Sequence, residues 1–175
     1  ITLAEDALGF DLVARTDAPT LCNLAHHGYF NLDDAGDIRG HRLQVEASHY
    51  LPVDDALIPT GEVASVTGTG FDFRTLREIG AHPCDHNFCL SHSRRALRPV
   101  ARLQGRSGLT MTVETTEPGL QVYDGRHFDG IAGLDGRRYG PHAGIALETQ
   151  IWPDAPNQTD FPSAVLRPGQ DWNAI

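Results

Sequence analysis

The sequence predicts an all-β protein, built as an antiparallel sandwich or barrel in a single domain. Short segments with period-two alternation, separated by turn signals, follow one another along most of the 175 residues. The alternation is clearest at 109–116, where apolar side chains alternate with threonines and a glutamate. The best helix candidate, 74–79, is short. Many strands with almost no helix are typical of an antiparallel sandwich or barrel.

Each predicted strand is an alternating or apolar run that lies between turn signals. The turns are marked by acidic and glycine-rich segments such as 33–37, 104–108 and 117–119. The segment 124–142 lacks convincing alternation, and we expect a loop or lid there. The predicted strands are 8–15, 20–32, 41–47, 49–53, 63–66, 85–91, 98–104, 109–116, 119–123, 145–152 and 163–167.

The composition excludes several classes of function. A net charge of −9 with no basic stripe disfavours nucleic acid and anionic membrane surfaces as partners. All 14 basic residues are arginine, which excludes a Schiff-base or P-loop lysine. The opening residues carry no signal-peptide pattern and do not begin with Met, so we expect a processed or truncated N-terminus. We expect a cytoplasmic monomer or homodimer.

Three cysteines leave a metal site to be weighed. Cys84 and Cys89 lie five residues apart among three histidines, but zinc sites favour tighter paired spacings. We therefore expect Cys22, Cys84 and Cys89 to be buried free thiols, and we expect no metal and no organic cofactor.

The segment 23–32 predicts a polar floor on an apolar back. As a strand it would place His27, Tyr29 and two asparagines on one face, and His26 with apolar side chains on the other. An imidazole beside amides and an aromatic ring suits a neutral polar substrate such as a sugar.

Two further segments present polar side chains in the same way. In 144–157, a strand would place Glu148, Gln150 and Trp152 on one wall, where the indole could pack on the C–H face of a pyranose. An exposed sheet face with a surface glutamate is the alternative. In 85–90, Asp85 could hold two sugar hydroxyls or could cap the strand start, whereas His86 is expected in the core.

At these segments the sequence resembles the galactose mutarotase (aldose 1-epimerase) family. Five motifs occur in the family's order across nearly the whole chain, although each alone would be weak evidence. The resemblance implies a large antiparallel β-sandwich of the mutarotase type, of which residues 1–175 form the C-terminal portion, with no metal or organic cofactor. The motifs lie at 23–32, at 49–54 continuing to 58–62, at 71–74, at 85–88, and at 146–150 with 153–155.

The resemblance also implies roles for site residues. Glu148 matches the family's catalytic base, His27 its catalytic acid and Asp85 a substrate-binding carboxylate; Gln150 and Tyr29 lie beside these motifs and are expected to line the pocket. Where the family has Asn-His-Ser-Tyr, this chain keeps the catalytic histidine with altered neighbours. The family's N-terminal half supplies an arginine and a second histidine, and nothing in residues 1–22 resembles that half.

The expected function is therefore interconversion of the α and β anomers of a free hexose such as galactose or glucose. A carboxylate and an imidazole can exchange proton roles near neutral pH, as ring opening requires. Three alternatives stay open: a non-catalytic sugar-binding module with the same fold, an epimerase of a phosphorylated sugar, and a glycoside hydrolase that uses Glu148 and Asp85.

Overall fold

The computed structural model describes residues 1–33 and 36–175, and nearly all regular structure in them is β-strand. The strands are short, and glycine- and proline-rich turns separate them. Two single 3₁₀ turns, Leu134–Gly136 and Ala155–Asn157, are the helical elements of the described residues. The strands are β1 Thr2–Leu3, β2 Leu8–Gly9, β3 Leu12–Ala14, β4 Thr20–Leu21, β5 Tyr29–Phe30, β6 Arg42–Val45, β7 His49–Tyr50, β8 Ala64–Ser65, β9 Arg77–Glu78, β10 Asp85–Cys89, β11 Arg98–Gln104, β12 Thr110–Thr115, β13 Gly119–Tyr123, β14 Ile131–Ala132, β15 Arg138–Tyr139, β16 Ile145–Gln150, β17 Val165–Leu166 and β18 Trp172–Ala174.

Two antiparallel sheets carry most of these strands. A six-stranded sheet has the order β5-β16-β13-β10-β7-β8, and a four-stranded sheet has the order β12-β11-β6-β9. Smaller two-stranded pairs join β1 to β2, β3 to β18, β4 to β17 and β14 to β15. Across residues 1–33 and 36–175, no helix has the length and apolar character needed to cross a membrane.

The main hydrophobic core lies between the two large sheets. Phe88 of β10, Leu120 of β13 and Ile145 of β16 point into it and are fully buried, as are Leu43 of β6 and Leu103 of β11. Since side chains alternate across a strand, the polar residues of β10, β13 and β16 lie on the opposite face of the six-stranded sheet. The all-β sandwich prediction is confirmed, and this second face carries the candidate site.

The predicted helix at 74–79 is wrong. Residues 77–78 form the edge strand β9, which pairs with Arg42 and Leu43 of β6. Phe73 and Ile79 at the two ends of the segment are buried in the core, and the Arg77 side chain donates to the carbonyl of Asp72. Six residues gain too few helical hydrogen bonds to compete with this pairing and burial.

The predicted continuous strand 20–32 is also wrong. Only β4 and β5 form within it, and the chain between them leaves the sheets. The Asn23 amide donates to the carbonyl of Ile151 at 3.0 Å and accepts from the Ile151 N–H at 2.8 Å. The Asn23 side chain thus takes the place of a strand backbone as the partner of Ile151. Residues 24–28 form no strand, and this irregular segment contains His27.

The segment 124–142 is mostly irregular, as predicted. Within it β14 and β15 form a small exposed hairpin. At the start of the segment 124–142, the buried Asp124 side chain accepts hydrogen bonds from the Cys84 N–H and from the Arg126 guanidinium. These bonds fix the start of the loop beside the end of β13.

Candidate active site

Three neighbouring strands, β10, β13 and β16, build the floor of the site. Their antiparallel register places side chains in rows that cross the sheet. The central row is polar throughout, and it is flanked by one row with an aromatic ring and one row that contains a glycine. The rows are Asn87–Gln121–Glu148, Asp85–Tyr123–Ala146 and Cys89–Gly119–Gln150.

A cavity of about 300 Å³ lies above this floor. Its polar lining comes from the three strands and from His27, and its apolar rim comes from Leu51, Val53, Leu57, Pro59 and Pro153. The structure therefore brings together four residues predicted from the sequence: Glu148, His27, Asp85 and Gln150 all line the cavity.

His27 and Glu148 meet directly at the cavity. The His27 Nε2 atom lies 3.3 Å from Oε1 of Glu148. The His27 side chain is 52% exposed, whereas that of Glu148 is only 11% exposed. The imidazole is thus open to solvent, while the carboxylate is largely enclosed at the sheet surface. An acid–base pair of this kind can hold and exchange one proton.

The neighbouring histidine does not reach this pair. His26 stacks on Phe10, with ring centroids 3.9 Å apart, which confirms that it packs away from the site. The Gly28 N–H points at Nδ1 of His26, and a Cβ at position 28 would come within 2.3 Å of the His26 ring. A side chain at position 28 would therefore displace the His26 ring from this place, while His27, which follows His26, lies on the cavity side.

The surroundings of Glu148 favour its protonated form. Burial raises the pKa of the Glu148 carboxyl, the nearby charge of Asp85 raises it further, and His27 opposes both effects. A carboxylate with a raised pKa is a stronger base than an ordinary glutamate, which suits it to proton abstraction.

Asp85 and the central row supply hydrogen-bonding groups. The Gln121 amide donates to Oδ1 of Asp85 at 2.7 Å, which orients the carboxylate. Oε1 of Gln121 and both polar atoms of Asn87 are buried without a hydrogen-bond partner in the described structure. Buried polar groups without partners are costly, so this floor is suited to a ligand that carries hydroxyls.

Aromatic rings close one end of the floor. Tyr29, which was expected to line the pocket, is not among the residues that line this cavity; its ring centroid lies 5.2 Å from that of His27 and 4.7 Å from that of Phe128. Burial raises the pKa of the Tyr29 hydroxyl, with smaller contributions from Tyr123 and Glu148. Tyr123, which the sequence did not single out, lines the cavity itself.

The predicted role of Trp152 in the sugar wall is wrong. Its side chain is 1% exposed and packs against Leu51, Phe161 and the residues around them. The indole N–H donates to the carbonyl of Pro118 at 2.9 Å. Strand β16 ends at Gln150, so the alternation that placed Trp152 beside Glu148 does not extend to it.

We expect Trp152→Ala to destabilise the fold by about 3–5 kcal/mol, because it removes a large buried ring and leaves a cavity. Chemical denaturation of the variant beside the parent protein measures this difference. A variant with unchanged stability and lost sugar affinity would contradict the buried structural role.

The structure also shows the three cysteines and the surroundings in which a metal site was considered. Cys22 and Cys84 are buried and Cys89 is half-buried, all three as free thiols. Burial raises the pKa of the Cys89 thiol to about 12, so the thiolate is disfavoured there. Among residues 1–33 and 36–175, no group of three or more potential ligands is arranged to hold a metal ion. His86 packs against Phe71 and Tyr50, as expected of a core histidine.

Comparison with known proteins supports this picture. A family model described as aldose 1-epimerase matches residues 1–175. Galactose mutarotase from Mus musculus is 42% identical over 98% of this chain and 53% of its own length. Aldose 1-epimerase from Escherichia coli K12 is 34% identical over 93% of this chain and 51% of its own length.

A solved structure shows the same architecture. The aldose epimerase homologue from C. elegans superimposes with a TM-score of 0.86 at 29% identity, over 94% of this chain and 52% of its own. The chain spans about half the length of the curated relatives it matches. The family resemblance predicted from the five motifs is confirmed: this chain belongs to the aldose 1-epimerase family.

Proposed function

We propose that the protein interconverts the α and β anomers of a free aldohexose. The observation that carries this proposal is the 3.3 Å contact between Nε2 of His27 and Oε1 of Glu148 at the edge of a polar cavity. The relatives named galactose mutarotase and aldose 1-epimerase support the same reaction. Residues 1–175 would contribute one domain to it, with the three free cysteines fitting a reducing, cytoplasmic setting.

The proposed mechanism uses Glu148 as base and His27 as acid. Glu148 removes the proton from the C1 hydroxyl, and the released electron pair forms the C1 carbonyl as the bond from C1 to the ring oxygen breaks. Protonated His27 gives its proton to that ring oxygen. Rotation about C1–C2 exposes the other carbonyl face, and the reverse transfers close the ring as the opposite anomer.

Asp85 and Gln150 are proposed to bind hydroxyls, and Tyr29 to support His27. Asp85 is half-buried and keeps one carboxylate oxygen free of the Gln121 amide, while Gln150 lines the cavity on the other side of Glu148. Apart from His27, the polar side chains that the described residues bring to the cavity are neutral or acidic, and an acidic side chain would repel a phosphate. An uncharged sugar therefore fits better.

Polarimetry on the full-length protein tests the proposal. Fresh α-galactose and α-glucose should approach the equilibrium rotation faster with the protein than without it, and galactose 6-phosphate should gain less. Sugar binding in calorimetry without acceleration of mutarotation would instead indicate the non-catalytic binding module.

We expect Asp85→Asn to shift the acidic limb of kcat/KM toward lower pH. Asp85 raises the pKa of Glu148, so removing its charge lets Glu148 stay ionised in more acidic solution. The substitution retains the oxygen that accepts from Gln121, so the floor should keep its shape. A pH profile of mutarotation checks the direction of the shift, and a shift toward higher pH would contradict the electrostatic account.

A further inference from the structure

An aromatic block stands at one end of the polar floor, in a row set by the sheet register. Tyr29 of β5 pairs with Ala146 of β16, which pairs with Tyr123 of β13, which pairs with Asp85 of β10. Ala146, between the two tyrosines, is small and fully buried. The Tyr29 and Tyr123 rings meet edge to face, with their centroids 6.1 Å apart.

Neighbouring groups fix the Tyr123 ring. Its hydroxyl accepts a hydrogen bond from the His127 N–H at 3.1 Å. Phe128 meets the ring edge-on at 6.5 Å, and the His127 ring lies nearly parallel to it at 6.2 Å. Tyr123 is half-buried and lines the cavity, so part of a fixed aromatic surface faces the space where a ligand would sit.

The polar groups around this ring lie where a sugar needs them. Asp85 stands directly opposite Tyr123 on β10, about 5 Å away between strands, and Glu148 lies one row along on β16. A pyranose has an apolar C–H face and a rim of hydroxyls. A ring resting on Tyr123 would therefore direct its rim toward Asp85 and Glu148.

We propose that Tyr123 is a sugar-stacking residue, which packs its aromatic face against the C–H face of the bound pyranose. This role rests on the proposed function and deepens it, since it names the surface that orients the ring against the acid–base pair. Trp152, the aromatic residue that the sequence placed on this wall, is buried in the core, whereas Tyr123 lines the cavity.

Three variants of the full-length protein test the affinity. Tyr123→Leu should weaken galactose binding about three- to tenfold, the usual worth of an aromatic contact. Tyr123→Phe, which restores the ring but not the hydroxyl, should recover most of that loss. Tyr139→Leu removes an exposed tyrosine outside the cavity and should bind as the parent does. Equal affinity of Tyr123→Leu and the parent protein would overturn the proposal.

A measurement on the unmutated protein covers the case in which Tyr123→Leu does not fold. With tyrosine rings selectively labelled, nuclear Overhauser effects should connect Tyr123 to the C–H protons of one face of bound galactose. Binding without such contacts would overturn the stacking role. Accelerated mutarotation without these contacts would contradict the stacking role but support the proposed function. The contacts without accelerated mutarotation would support the stacking role and contradict the proposed function.

Discussion

Glu148→Gln is expected to lower kcat for mutarotation by about 10³-fold, because the amide cannot take the proton from the C1 hydroxyl. The fold should remain intact, since the two side chains have the same shape and burial disfavours the charge of Glu148 in any case. Polarimetry with α-galactose measures the rate, and thermal unfolding measures the fold. A variant that kept the parent rate would refute the assignment of Glu148 as base.

A second buried glutamate provides a matched control. Glu117 is fully buried, lies outside the cavity, and pairs with Arg94 through Oε1 at 2.7 Å. Glu117→Gln weakens this charged pair and should destabilise the fold by about 1–3 kcal/mol. The rate per folded molecule should stay that of the parent protein, so the two variants separate loss of chemistry from loss of stability.

Regular strands made part of the site predictable. Alternation along 85–89 and 145–150 places Asp85 on one face of its strand and Glu148 and Gln150 on one face of theirs. Both strands form within the predicted segments 85–91 and 145–152, each two residues shorter, and both bury their apolar alternate positions in the same core. The polar side chains of both segments therefore lie on the same side of the sheet.

The same rule fails where a strand ends. Trp152 lies two residues beyond the end of β16, and residues 22–28 before β5 are irregular backbone rather than a strand. His27 meets Glu148 and His26 stacks on Phe10, and both contacts join residues that are far apart in the sequence. The alternation pattern of a single segment cannot predict such long-range contacts.

Residues on β13 were missed for another reason. The segment 119–123 was predicted as a strand, but its place between β10 and β16 depends on pairing that one sequence does not reveal. Only this pairing puts Gln121 between Asn87 and Glu148, and Tyr123 opposite Asp85. The alternation of Gln121 and Tyr123 with apolar residues was the available signal. It indicates site residues only when β10 and β16 are known to be the neighbouring strands.

His27→Ala is expected to lower kcat by about 10²-fold, because water must then protonate the ring oxygen. The imidazole is half-exposed, so its removal leaves a space open to solvent beside Glu148. Imidazole added to the assay should enter this space and restore part of the rate. His49→Ala, which removes an exposed histidine outside the cavity, should show neither the loss nor the recovery.

The pH dependence of the same variant tests the pairing of His27 with Glu148. His27 lowers the pKa of Glu148, so its removal should raise that pKa and move the acidic limb of kcat/KM toward higher pH. This shift is opposite in sign to the one expected for Asp85→Asn. Because a general disturbance of the site would move both variants in one direction, opposite shifts would identify Glu148 as the titrating base between a cation and an anion. Shifts of the same sign would show that another group controls the acidic limb.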